Sequence, residues 1–320
     1  MRIAGITRLE DLPRICPRLS RQSNSKYGED GTRVVQVGSA RFGGGRCVVV
    51  AGPCAVESRE QILEVARGVK AAGADMLRGG AFKPRTSPHD FQGLGVQGLD
   101  VLSLVREATG LPGVTEVMDV RLVDTVAEYA DMLQVGSRNM QNYPLLKEVG
   151  RAGKPVLLKR GMAASLCEWL GAAEYIAEEG NYDIVLCERG IKAYPSGEYC
   201  RYVLDLNVIP AVKFHTFLPI IVDPSHATGV AAMVEPASRA AVEFGSHGLI
   251  IEVAAGGFGA PKPLCDAAQA IGPPTLKRIV DFVHGRDGAF AEPAERGSGA
   301  WGQGSGKPAP APDPRCLTPA

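Results

Sequence analysis

Eight short apolar runs recur between residues 47 and 253, each followed by a polar or glycine turn and then by a segment of helical periodicity. They are 47–52 (CVVVAG), 76–81 (MLRGGA), 114–118 (VTEVM), 132–136 (MLQVG), 155–159 (PVLLK), 183–188 (DIVLCE), 219–223 (PIIVD) and 248–253 (GLIIEV). Runs this short, rich in β-branched residues and lacking polar alternation, read as strands covered on both faces. Covered strands alternating with helices call for a parallel sheet. The helical segments include 59–72, 120–130, 165–179, 230–244 and 274–285, while 191–210 has no clear period. Eight such units over roughly 240 residues match an α/β fold of the (β/α)8 TIM-barrel type, typically about 250 residues long. The rival is a doubly wound open sheet. A GxGxxG turn after the first strand would favour it, but the GGG at 43–45 precedes that strand.

The flanks differ in character. Residues 33–45 (RVVQVGSARFGGG) form two alternating runs around Gly38-Ser39, which predicts a short β-hairpin. Residues 1–32 read as polar and irregular. Residues 287–320 are rich in glycine, proline and alanine and poor in large apolar residues, the composition of a disordered tail. The expected layout is therefore an N-terminal extension with its hairpin over 1–46, a catalytic barrel over 47–286 and a tail over 287–320.

Charge narrows the partners. Lys and Arg total 35 and Asp and Glu total 35, so no global field draws in nucleic acid or an anionic membrane. No apolar run approaches the roughly 20 residues that span a bilayer, and the N-terminus lacks the apolar core of a signal peptide. Eight cysteines without a CxxC pair point to reduced thiols in a cytoplasmic protein, most of them small core fillers.

Barrels of this kind place reactive groups at the C-terminal ends of their strands. Polar residues stand where every apolar run stops, and six are cations: Arg78, Lys83, Arg85, Arg138, Lys159 and Arg189. Gathered at one mouth they would repel one another unless anions neutralised them. Guanidinium forks suit phosphate and carboxylate, and an ammonium acts as a point charge. The expected ligands carry several negative charges: two phosphorylated molecules, or a phosphate with a carboxylate. A second group ends the first, seventh and eighth runs: Cys54, His226 and Glu252. Thiolate, imidazole and carboxylate together suit a divalent transition metal. Asp266, ahead of the last helix, is the best fourth ligand.

At this point the motifs resemble a known family, the type I 3-deoxy-D-arabino-heptulosonate 7-phosphate (DAHP) synthases, in their smaller microbial subtype. The resemblance covers roughly residues 33–285. It is carried by AGPCAVES (51–58), LRGGAFKPRTSPHDFQGLG (77–95), VTEVMD (114–119), QVGSRNMQN (134–142), PVLLKRGM (155–162), LCERGI (186–191), PIIVDPSHATG (219–229) and SHGLIIEV (246–253). It implies a condensation of phosphoenolpyruvate with erythrose 4-phosphate that releases phosphate, the first step of the shikimate pathway to aromatic amino acids.

Carried over by position, the resemblance implies one divalent ion (Mn, Co, Fe or Zn) on Cys54, His226, Glu252 and Asp266. It implies a phosphoenolpyruvate cradle of Arg78, Lys83, Arg138, Lys159 and Arg189. The aldose phosphate falls to Lys83, Pro84, Arg85 and Thr86, and the catalytic groups are Lys83, Glu116, Lys159 and His226. It also implies a homodimer or homotetramer, with a chorismate mutase as a partner to consider.

A sister family makes 3-deoxy-D-manno-octulosonate 8-phosphate from arabinose 5-phosphate, with Asn-Arg where this chain has Pro84-Arg85; the proline here favours the four-carbon aldose. Two stretches depart from the family pattern. Asp266-Ala267 replaces Asp-Gly, and residues 193–206 keep only Arg201, Leu204 and Asp205 of the usual Thr-Arg-x-Thr-Leu-Asp. The alternatives are therefore the eight-carbon synthase, a pathway-specific paralogue using another aldehyde, and an inactive barrel that serves as a binding partner. About 32 residues ahead of the hairpin are too few for an appended regulatory domain.

Overall fold

The computed structural model describes residues 12–21, 31–193, 201–255, 263–265 and 267–286. The hairpin forms as expected, with β1 (Val35–Val37) antiparallel to β2 (Ala40–Phe42). Each of the eight apolar runs contributes a strand: β3 (Val48–Gly52), β4 (Met76–Arg78), β5 (Gly113–Glu116), β6 (Met132–Val135), β7 (Val156–Lys159), β8 (Ile184–Glu188), β9 (Ile220–Val222) and β10 (Gly248–Glu252). They close into a parallel barrel in sequence order, and β10 pairs with β3 from Gly248 opposite Val48 to Glu252 opposite Gly52.

Alternation along these strands sorts side chains between two cores. Val48, Val50, Met76, Val114, Met132, Leu157, Val185, Ile221 and Ile250 belong to one buried cluster inside the barrel. Their neighbours Val49, Ala51, Leu77, Leu133 and Leu158 pack in a larger cluster with the helices. Val35, Val37, Ala40 and Phe42 of the hairpin join the inner cluster. The hairpin therefore stoppers the barrel at the end away from the strand C-termini. Burying each large apolar side chain contributes about 1.5–3 kcal/mol.

The helices are α1 (Leu12–Ile15), α2 (Arg59–Ala72), α3 (Val96–Thr109), α4 (Val123–Tyr129), α5 (Tyr143–Arg151), α6 (Leu166–Glu178), α7 (Val208–His215), α8 (Pro224–Thr228), α9 (Ala231–Glu243) and α10 (Pro273–His284). Local chemistry sets their ends. Ser58 caps α2 by accepting the Gln61 N–H, and Ser165 with Glu168 forms a capping box at α6.

Two regions differ from expectation. Within the stretch read as irregular, residues 12–21 form α1 and a turn that bury Leu12, Cys16 and Leu19. Those three apolar residues recur at helical spacing, a stripe hidden among polar neighbours. Glu174 of α6 fastens the segment by accepting the N–H groups of Arg18 and Leu19. In the unclear stretch 191–210, Ile191 pairs with Val203 in an antiparallel bridge and α7 starts at Val208. The tail expected over 287–320 lies outside the described residues.

Candidate active site

The strand ends converge as the alternating pattern requires. Arg78 closes β4, Glu116 closes β5, Lys159 closes β7, and Glu188-Arg189 leads out of β8. A cavity of about 270 Å³ opens between them. Its lining includes all six candidate cations, Arg78, Lys83, Arg85, Arg138, Lys159 and Arg189. Pro84, Thr86, Glu116 and His226 line it as well. Alternation also explains a pair that stays out. Arg160 follows Lys159 but turns to Glu188 and Asp205, 2.9 Å from each.

Close backbone approach shapes the floor. A Cβ on Gly80 would lie 2.6 Å from Lys83 Cδ, and one on Gly136 would lie 2.0 Å from Glu116 Oε1. These two glycines leave room for the ammonium and the carboxylate. Gln134 donates to Glu116 at 3.3 Å. Burial opposes the charge on Lys83, but Cys54 and Glu116 prevail and raise its pKa above the usual lysine range. Lys83 thus stays an ammonium at neutral pH. Arg189 stacks on the Tyr202 ring at 4.2 Å, and its buried Nη1 has no hydrogen-bond partner among the described residues. Such an orphaned donor costs about 1–3 kcal/mol, which an arriving anion recovers.

Asp223, directly after β9, organises the opposite wall. Its Oδ2 lies 2.6 Å from Lys159 Nζ and 2.8 Å from His226 Nδ1, and its Oδ1 accepts the His226 N–H. Burial works against its charge, yet His226 and Lys159 hold its pKa well below the usual carboxylate range. With Nδ1 held by Asp223, His226 Nε2 faces Glu252 Oε1 at 3.3 Å.

Cys54, His226 and Glu252 each offer a ligand atom, all within 4.8 Å of one another. That is close to the reach of one ion with bonds of about 2.0–2.3 Å. Glu252 Oε1 is buried and accepts no hydrogen bond among the described residues, although Arg78 Nη2 stands 3.2 Å away. A buried carboxylate oxygen with no hydrogen bond among the described residues, beside a thiol and an imidazole, fits a divalent transition ion. Asp266, the expected fourth ligand, lies outside the described residues.

Sequence reasoning missed two contributors and left a third without a role: Asp223 ends the seventh apolar run and is the N-cap of Asp-Pro-Ser-His, three residues ahead of the histidine. Cys265, counted among the core fillers, instead lies at the site. Its Sγ is 3.0 Å from Cys54 Sγ, and Arg85 Nη1 donates to it at 2.7 Å. Gln269 donates to Glu252 Oε2. Neither Cys265 nor Gln269 follows an apolar run, so strand-end counting does not reach them. The Cys265 hydrogen bond, burial and the Glu252 charge raise the Cys54 pKa well above the usual thiol range.

Fold and mouth together define a (β/α)8 enzyme barrel whose strand ends surround a cation-lined cavity beside a candidate Cys–His–Glu metal site. Comparison with known proteins agrees. The model of the DAHP synthetase I family matches residues 31–284. A phospho-2-dehydro-3-deoxyheptonate aldolase from Thermotoga maritima is 42% identical over 275 residues, 85% of this chain and 78% of that protein. A 2-dehydro-3-deoxyphosphooctonate aldolase from Syntrophotalea carbinolica is 33% identical over 259 residues, 74% of this chain and 90% of its own. The crystal structure of the Thermotoga maritima DAHP synthase superposes with a TM-score of 0.75 at 41% identity, covering 82% of this chain and 74% of that one. A truncated form of the Thermotoga maritima enzyme gives 0.73 at 39% identity, covering 83% and 94%. The chain belongs to the DAHP synthetase I family.

Proposed function

We propose that this protein condenses phosphoenolpyruvate with erythrose 4-phosphate to give DAHP and inorganic phosphate, the entry step of the shikimate pathway. The observation that carries the reading is the cation ring at one mouth, with the buried Arg189 Nη1 lacking a hydrogen-bond partner among the described residues, beside the Cys54–His226–Glu252 cluster. Two unit charges about 4 Å apart cost about 4 kcal/mol at an effective dielectric near 20. Two phosphorylated substrates held side by side therefore need several fixed cations. Arg78, Lys83, Arg138, Lys159 and Arg189 hold phosphoenolpyruvate, and Lys83 with Pro84, Arg85 and Thr86 receives the aldose phosphate.

C3 of phosphoenolpyruvate forms a bond to the aldehyde carbon, water adds at C2, and the C2–O bond to phosphate breaks. Glu116, set against Lys83 and Gln134, positions and deprotonates that water. Lys159, held by Asp223, moves a proton to the departing oxygen. Cys54, His226 and Glu252, with Asp266 as the fourth ligand, would hold a divalent ion (Mn, Co, Fe or Zn), which would supply a Lewis acid for the aldehyde oxygen. Holding both anions in register contributes a proximity effect of several kcal/mol, up to roughly 7–11 in well-aligned systems.

A phosphate-release assay with phosphoenolpyruvate and one aldose phosphate at a time tests this. Release with erythrose 4-phosphate, abolished by a chelator, is expected. Release with arabinose 5-phosphate alone would move the protein to the eight-carbon reaction, and no release with any aldose would leave a binding barrel.

A further inference from the structure

Glu252 has two oxygens with different surroundings. Oε1 lies 3.3 Å from His226 Nε2 and 3.2 Å from Arg78 Nη2 and accepts no hydrogen bond among the described residues; Oε2 accepts from the Gln269 amide. Gln269 is 2% exposed, so this amide has no water to fall back on. Its oxygen accepts from Arg201 Nη1 at 3.1 Å. A guanidinium can only donate, so the amide oxygen must face Arg201 and the NH2 must face Glu252. Glu252 as a carboxylate can only accept, so the amide is oriented from both ends, by the carboxylate and by a residue at the mouth.

The backbone keeps Gln269 in place. Ile271 N–H donates to the Glu252 carbonyl at 2.9 Å, Ala254 N–H donates to the Ile271 carbonyl at 3.1 Å, and Ala231 N–H holds the Ala268 carbonyl at 2.9 Å. The segment carrying Gln269 is therefore hydrogen-bonded to the strand that presents the ligand. Arg201 is fixed from the other side. Its N–H donates to the Thr228 carbonyl at 3.2 Å, its guanidinium lies over the Tyr202 ring, and its Cβ would be 2.8 Å from a Cβ on Gly229.

We infer that Gln269, oriented by Arg201, is a positioning residue that makes Glu252 bind the ion through Oε1 alone. Arg201 is one of the three residues that the divergent stretch 193–206 keeps from the family pattern, and it reaches the metal site through this one amide. The inference rests on the reading of Cys54, His226 and Glu252 as ion ligands. With Arg201 gone, the amide keeps only its bond to Glu252, so Oε2 loses a firmly held donor and the carboxylate is freer to turn.

The test is Co2+ titration of the metal-free full chain against a competing chelator, with the thiolate-to-cobalt absorption band recorded. Gln269→Leu should weaken Co2+ binding about 10–100-fold, the range typical for partners of metal ligands. The thiolate band should persist at saturation, because Cys54 still binds. Arg201→Met, at an exposed position that should not disturb folding, should weaken binding in the same direction, and Arg201→Lys should restore it because lysine still donates. Unchanged affinity in Gln269→Leu, or in Arg201→Met should the first variant not fold, overturns the proposal. Failure of Arg201→Lys to improve on Arg201→Met overturns the orienting role. Failure of the unaltered chain to bind Co2+ overturns the ion-ligand reading and this inference with it.

Discussion

Cys54 and Cys265 face each other as unjoined thiols with 3.0 Å between their sulfurs, one on the strand-end loop of β3 and the other on the loop ahead of α10. Attack by one thiolate on glutathione disulfide, followed by displacement by the other, would join them and release two glutathione molecules. In the metal-stripped protein, oxidised glutathione should therefore remove two hydrogens from the intact mass and abolish Co2+ binding. Cys265→Ser should keep binding Co2+ after the same treatment; loss of binding there would show that Cys54 reacts without its neighbour. Arg78, Lys159, Glu116 and Glu252 could be found by asking what ends each apolar run, because a parallel barrel turns strand termini into one rim. Cys265 and Gln269 could not, since loop residues carry no periodic signal that says which strand they will meet.

At the scale of elements, the entry to β10 holds a titratable group against the sheet. His247 Nδ1 accepts the Ile220 N–H at 3.1 Å, and the backbone N–H of His247 donates to the Ile220 carbonyl at 2.8 Å. Burial, with Lys213 and Arg21 nearby, pushes the imidazole down to about 3 from an ordinary 6.5. The folded pKa lies below the unfolded one, so the unfolded chain takes up a proton that the folded chain refuses. This contribution is fully present above pH 6.5 and is lost as pH falls toward about 3. Its limiting slope is about 1.4 kcal/mol per pH unit. Urea unfolding at a series of pH values from about 6 down to about 5 should show a shallower loss of stability in His247→Gln than in the unaltered chain. Equal slopes would mean the ring is protonated in the fold. The strands themselves were legible because covered β-strands leave unbroken apolar runs. The hidden turn at 12–21 was not, because three apolar residues across eight positions are too sparse to rise above a polar background.

Across the whole molecule, the hairpin was visible in sequence but its docking surface was not. Alternation reveals that β1 and β2 have one apolar face without saying what covers it. That face meets the inner cluster of the barrel, where Phe42 is fully buried. Phe42→Ala should cost about 3–5 kcal/mol of stability in urea unfolding. Co2+ affinity should stay unchanged, since the loss falls at the end of the barrel opposite the mouth; a parallel drop would show that the two ends are mechanically linked. The ion cluster has a different relation to the chain. Cys54 follows the first barrel strand and Glu252 ends the last, and these two strands pair directly where the circle joins. A protein emerging from the ribosome thus exposes the sulfur donor long before the imidazole and carboxylate exist. On the proposed ligand reading, Cys54, His226 and Glu252 come together only once the last strand has found the first, so ion binding would report that the circle is complete.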